Sequence, residues 1–387
     1  MPESFYLSPL VPRLSLPANS IDLSLILWFF VCLFIIQLIY WSIFYFSLSQ
    51  EVKSGTAMNV PVSVIVCAHD EEQNLRELLP LLQAQNHPEF EMIIVDDRSN
   101  DGTYDFLLAE TKKDARLKLV HVNQKPDHVN GKKYALTLGI KTAKYDWVLL
   151  TDADCRPAST EWIRQMAGGF PDATSIVLGY SPYLAQTGLL NAFIRFETMV
   201  TAIQYFSMAL IGVPYMGVGR NLAYQKKLFL DNKGFSEHLA VTGGDDDLFV
   251  NQHANTQNIF VVLNEKSIVN SKSKTTWKDF YRQKIRHLAV GKRYKLKYRL
   301  LLAPFGLSWI LIWPSGLVTV FSIYWLWAIA GILLRWAMQI ITVITFNKKS
   351  GGKFEVWKIP LLDFIFGFYY LVAGFKALVS KRIPWKT

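Results

Sequence analysis

The stretch from Ile21 to Leu48, with no charged residue after Asp22, constrains this chain more than any other feature. It is rich in Leu, Ile, Phe and Trp and is long enough to cross a hydrocarbon core of roughly 30 Å, so residues 21–48 are expected to form a transmembrane helix. A cleavable signal peptide fits poorly. Only Arg13 supplies a base ahead of the run, the run is too long, and it ends in aromatics without a small-residue cleavage site.

A second apolar excess closes the chain. From Leu300 to Phe346 the only charged residue is Arg335, and Pro314-Ser315-Gly316 interrupts the run, which predicts two spans joined there. Ile359 to Val379 contains Asp363 and Lys376 and reads as a span or as a helix lying in the interface, for three or four spans in all. Lys348, Lys349, Lys353 and Lys358 fit an inward loop, whereas Lys381, Arg382 and Lys386 conflict with a further crossing. The 51% hydrophobic and 14% aromatic composition of the 387 residues belongs to such a membrane-tethered chain. The expected organisation is an N-terminal segment (1–20), the first span, a linker (49–59) with Lys53, Ser54 and Gly55, a catalytic domain (60–271), a basic segment (272–299) and a membrane region of two or three helices (300–387).

The net charge of +10 is uneven. Between Lys272 and Arg299 lie Lys272, Lys274, Lys278, Arg282, Lys284, Arg286, Lys292, Arg293, Lys295, Lys297 and Arg299, against Asp279 alone. Beside a span, this reads as contact with anionic lipid and as a mark of the cytoplasmic side. No nucleic-acid motif accompanies it, so nucleic acid is not an expected partner. Cys32, Cys67 and Cys155 lack paired spacing and read as buried thiols, in keeping with a reducing compartment.

Residues 60–185 alternate short β-rich runs with helical patterns, which implies an α/β fold with a parallel sheet. Strands are expected at Val62–Cys67, Glu91–Val95, Leu117–Val122, Trp147–Leu150 and Thr174–Leu178. Helices are expected at Glu71–Gln85, from Leu75, Leu78, Leu79 and Leu82, and at Lys132–Ala143, from Ala135, Leu136 and Ile140. Leu189–Leu210 reads as a core or membrane-surface helix, despite Arg195 and Glu197, and as a possible border to a lipid-like acceptor.

Four polar clusters fall at strand ends or helix starts. They are Ala68-His69-Asp70-Glu71 after the first strand, Asp96-Asp97-Arg98-Ser99 after the second, Asp152-Ala153-Asp154 after the fourth, and Gly243-Gly244-Asp245-Asp246-Asp247 further on. Gln283-Lys284-Ile285-Arg286-His287 follows the last. In open α/β sheets ligands collect at the carboxyl ends of strands, and a paired carboxylate there suits a hard divalent cation shared with a diphosphate. A lone Asp-x-Asp is ordinarily a solvated turn, and a run of acids is ordinarily a helix N-terminus; their order and spacing together argue otherwise.

These clusters, over roughly residues 60 to 300, resemble glycosyltransferase family 2 in its membrane-anchored bacterial form. The resemblance implies the GT-A nucleotide-sugar-binding fold with flanking transmembrane helices, and an inverting transfer from a nucleotide-diphosphate sugar to a lipid-linked or glycan acceptor. It implies donor contacts at Ala68, His69, Glu71, Asp96, Asp97, Lys132 and Asp152. Asp154 is the implied main ligand of Mg²⁺ or Mn²⁺, with Asp152 on the donor's ribose or in the ion's second shell. Asp245 is the implied general base, with Asp246 one position away as the fallback, because Gly244 stands where relatives carry Glu. Gln283 and Arg286 match the family's Q-x-x-R element, and His287 replaces its tryptophan. Gly219-Arg220-Asn221 resembles a loop near the substrate site. A plain capping role stays open for Asp97, as does a solvated helix-start role for Lys132. The expected location is the inner or plasma membrane, multi-pass, with a cytoplasmic catalytic domain and a role in cell-envelope glycan or glycolipid synthesis. The competing readings are a processive polysaccharide synthase and a non-catalytic nucleotide-sugar-binding scaffold.

Overall fold

A computed structural model describes residues 23–51, 59–170 and 173–379; the expected N-terminal segment, most of the linker and Lys381, Arg382 and Lys386 lie outside them. Valine, isoleucine and leucine runs buried on both faces favour a parallel sheet. They form β1 (Val62–Ala68), β2 (Phe90–Asp97), β3 (Leu117–Val122) and β4 (Trp147–Asp152). Shorter strands follow: β5 (Cys155–Pro157), β6 (Ile176–Leu178), β7 (Leu222–Gln225), β8 (Ile259–Val261) and β9 (Val269–Ser271). The main sheet runs β3-β2-β1-β4-β7-β6-β8, and β5 pairs with β9 in a separate ribbon. β1 to β4 are parallel, with Ala68 opposite Asp96 and Cys67 opposite Asp152, so the strand-end acids share one edge. β7 is antiparallel to both β4 and β6.

The helices are α1 (Leu23–Ser49), α2 (Glu72–Gln83), α3 (Thr103–Thr111), α4 (Gly131–Thr142), α5 (Trp162–Ala167), α6 (Leu189–Leu210), α7 (Lys226–Asp231), α8 (Asp247–His253), α9 (Trp277–Gly291), α10 (Leu296–Val320), α11 (Trp325–Ser350) and α12 (Ile359–Val379). α2 buries Leu75, Leu78, Leu79 and Leu82 against one face of the sheet, with Trp162 and Met166 of α5 in the same apolar layer. α4 and α6 cover the other face, and their layer is continuous with α1, α10, α11 and α12. α6 is therefore a core helix, wedged between the sheet and the apolar helices.

Four of the described helices are long and apolar enough to cross a membrane. α10 leaves the sheet domain with Tyr298 near Tyr215, and α11 returns to it where Gly351 meets Glu265. α1 runs alongside, its Phe44 carbonyl accepting from Ser207 of α6 and its Phe30 packing on Ile312 and Ala328. The turn between α10 and α11 is at residues 321–324 and not at Pro314-Ser315-Gly316, which correct the expected break by remaining helical. Ser315 Oγ donates to the Leu311 carbonyl at 2.8 Å and Thr319 Oγ1 to the Ser315 carbonyl at 2.8 Å. Hydroxyls of this kind help a helix tolerate an internal proline among packed apolar neighbours. α12 lies along the domain: just before it Glu355 pairs with Arg195 at 3.0 Å, while Tyr370 donates to Glu197 at 2.6 Å, two residues further along α6. Tyr369 packs on Phe280 of α9.

The basic segment is not uniformly a lipid-facing patch. Lys272 reaches Glu77 at 2.9 Å, Lys284 reaches Glu197 at 2.5 Å, and Lys295 donates to the Gln252 carbonyl at 2.8 Å.

Candidate active site

The start of α4 is tied to the loop that carries the second acid cluster. Asn130 caps the helix, its backbone N–H donates to the Leu239 carbonyl, and Lys133 Nζ donates to the carbonyls of His238 (2.7 Å) and Val241 (3.0 Å). The neighbouring Lys132 then faces the opposite way, 2.9 Å from Asp152 Oδ1 and 3.3 Å from Asp245 Oδ2. It is therefore no solvated helix-start lysine. Burial works against its charge, but Asp152, Asp245 and Asp246 outweigh that and hold its pKa well above the ordinary value.

The three consecutive aspartates have separate environments. Asp246 caps α8, its Oδ1 accepting from Asp247 N at 2.8 Å and its Oδ2 from Gly219 N at 2.7 Å. Asp247 accepts from Leu248 N and from Tyr294 Oη, each at 2.8 Å. Burial and mutual repulsion raise the pKa of both. Asp245 faces Lys132 instead; burial alone would raise its pKa, yet Lys132, its own backbone N–H and Lys133 hold it below the usual carboxylate range. Gly244 has φ +77°, and a Cβ there would lie 2.6 Å from Leu248 Cδ1, so this backbone disfavours the glutamate that relatives place before the aspartate.

Lys132, Asp152, Asp154, Asp245, Asp246, Gln283 and Arg286 all line one cavity of about 650 Å³. α9 brings Gln283, Lys284, Arg286 and His287 to its wall at helical spacing. Gln283 sits 3.5 Å from Tyr183 Oη. His287 opens onto the cavity interior, and the surrounding protein together with Lys284, Arg286, Arg220 and Lys132 holds its imidazole neutral, far below the ordinary value.

The remaining expected residues form a shelf at the ends of β1 and β2, outside the lining of this cavity. His69 Nδ1 is 2.6 Å from the Asp97 carbonyl oxygen, and Glu71 Oε2 accepts from Asn74. Asp96 is fully buried, with its carboxylate 2.7 Å from His121 Nδ1 and accepting from Ser99 N, so it shapes the turn. Asp97 accepts from both the Nε and Nη2 of Arg98. Neither residue caps α3, whose first turn is instead held by Asp101 accepting from Thr103 N. Gly131 admits the Asp97–Arg98 pair against α4, since a Cβ there would lie 2.7 Å from Asp97 Oδ2.

Two family models match this chain: glycosyl transferase family 2 over residues 63–199, and glycosyl transferase family group 2 over 147–346, which is more than half of the sequence. The chain belongs to glycosyltransferase family 2. A poly-beta-1,6-N-acetyl-D-glucosamine synthase of Staphylococcus epidermidis is 33% identical over 127 residues, covering 30% of this chain and 29% of that one. The putative teichuronic acid biosynthesis glycosyltransferase TuaG of Bacillus subtilis is 28% identical over 154 residues, covering 39% and 59%. The matches thus span less than two thirds of these curated relatives. Among solved structures, the mannosyltransferase PcManGT from Pyrobaculum calidifontis, in complex with GDP-Man and Mn²⁺, superposes with a TM-score of 0.62 at 16% identity. It covers 93% of this chain and 100% of that one, a likeness of fold, and the fold is GT-A.

The acid pair of this family 2 chain fits a divalent cation. Burial and the nearby Asp152 raise the pKa of Asp154, and the hydrogen bond described for its carboxylate is a 3.6 Å contact from the Cys155 thiol. No cluster of three or more His, Cys, Asp or Glu occurs among the described residues. A cation here must take further oxygens from phosphate and water, as Mg²⁺ and Mn²⁺ commonly do.

Sequence reasoning underrated Arg220. Its guanidinium is 4.4 Å from the Tyr183 ring centroid, and although burial opposes its charge, Tyr183, Cys155, Asp154 and Asp152 hold its pKa above the ordinary value. Asn221, the next residue, is structural, bound to Trp162, Tyr180 and Ser267. The Glu197–Lys284–Tyr370 cluster on the cavity wall was also missed. No local motif marks it, because its members come from α6, α9 and α12.

Proposed function

We propose that this protein is an inverting glycosyltransferase that moves a sugar from a nucleotide-diphosphate donor to a membrane-associated acceptor in cell-envelope glycan or glycolipid synthesis. The observation that carries this reading is Lys132, which joins the donor-side acid Asp152 to Asp245 across one cavity floor. Asp154 and Asp152 would hold Mg²⁺ or Mn²⁺, and the ion would supply positive charge to the diphosphate leaving group. The shelf of Ala68, His69, Glu71 and Asp97 receives the nucleoside, with Asp96 fixing its turn. Arg286 and Arg220 face the phosphates, where a guanidinium fork suits their oxygens.

Asp245 is the base. It takes the proton of the acceptor hydroxyl as that oxygen bonds to the anomeric carbon and the bond to the nucleotide breaks, inverting the centre. Both oxygens of Asp246 accept backbone N–H groups, which favours Asp245 over its neighbour. The catalytic domain lies on the cytoplasmic side, α1, α10 and α11 cross the membrane, and α12 rests at the inner face.

The test is purified full-length protein with Mn²⁺ or Mg²⁺, screened for turnover of a panel of nucleotide sugars, with product stereochemistry read by NMR. Turnover should disappear in excess chelator and in Asp154→Ala; full activity in either would remove the metal from the reading. Likeness to poly-N-acetylglucosamine synthases supports a second reading, a processive enzyme. Ladders of long products would favour it, whereas His287 in place of tryptophan favours single transfer.

A further inference from the structure

The cavity that holds Asp245 continues into the apolar helices. Along α10, Arg299, Leu302, Ala303, Gly306 and Ile310 recur on one face and line it. Phe366 and Tyr370 of α12 close the opposite wall. The stripe begins in a cation and goes on in small and apolar side chains; a Cβ built on Gly306 would meet nothing within 4 Å. The residue lies inside a helix, where glycine is otherwise unfavourable, and it leaves open the space a side chain would fill.

Resting on the transferase reading above, we infer that this arm between α6, α10 and α12 is the acceptor's binding site, and that the acceptor is an amphiphile with an anionic head and a hydrocarbon chain. The chain lies along Leu302, Gly306, Ile310 and Phe366, the anionic group meets Arg299 at the rim, and the reacting oxygen reaches Asp245. The arm is continuous with the acid cluster, and its far wall is built from helices apolar enough to lie in a bilayer. A wholly water-soluble saccharide would leave that wall unsatisfied, since burying apolar surface is what such a wall contributes.

The experiment uses the full chain in nanodiscs with dodecyl phosphate, dodecanol and glucose as probes. Binding of a panel of nucleoside diphosphates is measured on the same samples. Dodecyl phosphate should bind, dodecanol more weakly and glucose not at all. Gly306→Trp should cut dodecyl phosphate affinity by about tenfold or more by occupying the arm, and leave nucleotide binding unchanged. Ala303→Phe, at an exposed position on the same stripe, serves if the first variant fails to fold. Dodecyl phosphate binding that both folded variants leave intact, or no binding at all beside normal nucleotide binding, overturns the lipid site alone. Absence of nucleotide binding overturns the transferase reading and leaves the lipid result to stand separately.

Discussion

At the scale of single residues, the three adjacent aspartates look equivalent in sequence and are separated by what they accept. Asp245→Asn keeps shape but loses basicity, so transfer should fall by about 10²- to 10⁴-fold while donor binding survives. Asp246→Asn removes one acceptor from a cap and should cost roughly 1 to 3 kcal/mol of stability with mild loss of transfer. Rates at saturating donor, with thermal melts, check the pair. Severe loss only in the Asp246 variant would move the base one position along. Lys132 sets the pH dependence. It helps hold Asp245 below the ordinary carboxylate range, so the wild-type rate should persist to low pH before its acid limb. In Lys132→Met burial remains and the cation is gone, so the folded pKa of Asp245 rises and activity is lost at a higher pH as pH falls. A pH–rate profile with an unmoved acid limb would detach Lys132 from Asp245.

At the scale of elements, a polar knot ties the apolar helices together. Arg335 of α11 donates to both oxygens of Asp363 of α12 at 2.5 and 2.9 Å and to Gln37 of α1 at 3.1 Å. Gln37 in turn donates to Ser308 of α10 at 2.8 Å, and Trp336 and Gln339 complete the Asp363 carboxylate. Breaking such a pair strands a buried charge. Arg335→Met should destabilise by about 3 kcal/mol, and Arg335→Met with Asp363→Leu by much less, as non-additivity in a double-mutant cycle of detergent melts. Additive losses would mean the pair is not coupled. Sequence gave both residues without their connection, because Arg335 and Asp363 stand in separate apolar runs. Strands β1 to β4 were legible from their Val, Ile and Leu runs, as was α2 from its leucine spacing. β7, β8 and the β5–β9 ribbon were not, for three- and four-residue strands carry no periodicity. The acids at strand ends were visible for the same reason as the strands, whereas Lys133 beside His238, and Lys284 beside Glu197, required the fold. Pro314 misled because a proline reads as a break until its neighbours' hydroxyls are placed.

At the scale of the whole molecule, the question is which ends of the helices face the cytoplasm. α10 starts and α11 ends at the sheet domain, so the residues 321–324 turn lies at the far end of that hairpin, and α1 meets the domain at its C-terminal end. Crossing by these three helices puts the domain and Lys348, Lys349, Lys353 and Lys358 on one side, as the positive-inside rule favours. α12 is long enough to cross. Yet Glu355 before it and Tyr370 within it both touch α6 at neighbouring positions, which a helix leading straight away from the domain would not do. On the proposal that α12 lies along the inner face, Lys376 falls on the same side of the membrane as the other bases. Single cysteines introduced at Ser322, Lys292 and Lys376, after replacement of Cys32, Cys67 and Cys155, test this with a membrane-impermeant maleimide on intact cells. Ser322→Cys should label from outside, and Lys292→Cys and Lys376→Cys only after the membrane is opened. Labelling of Lys376→Cys in intact cells would make α12 a fourth crossing; labelling of Lys292→Cys there would place the domain outside and remove its access to cytoplasmic nucleotide sugars.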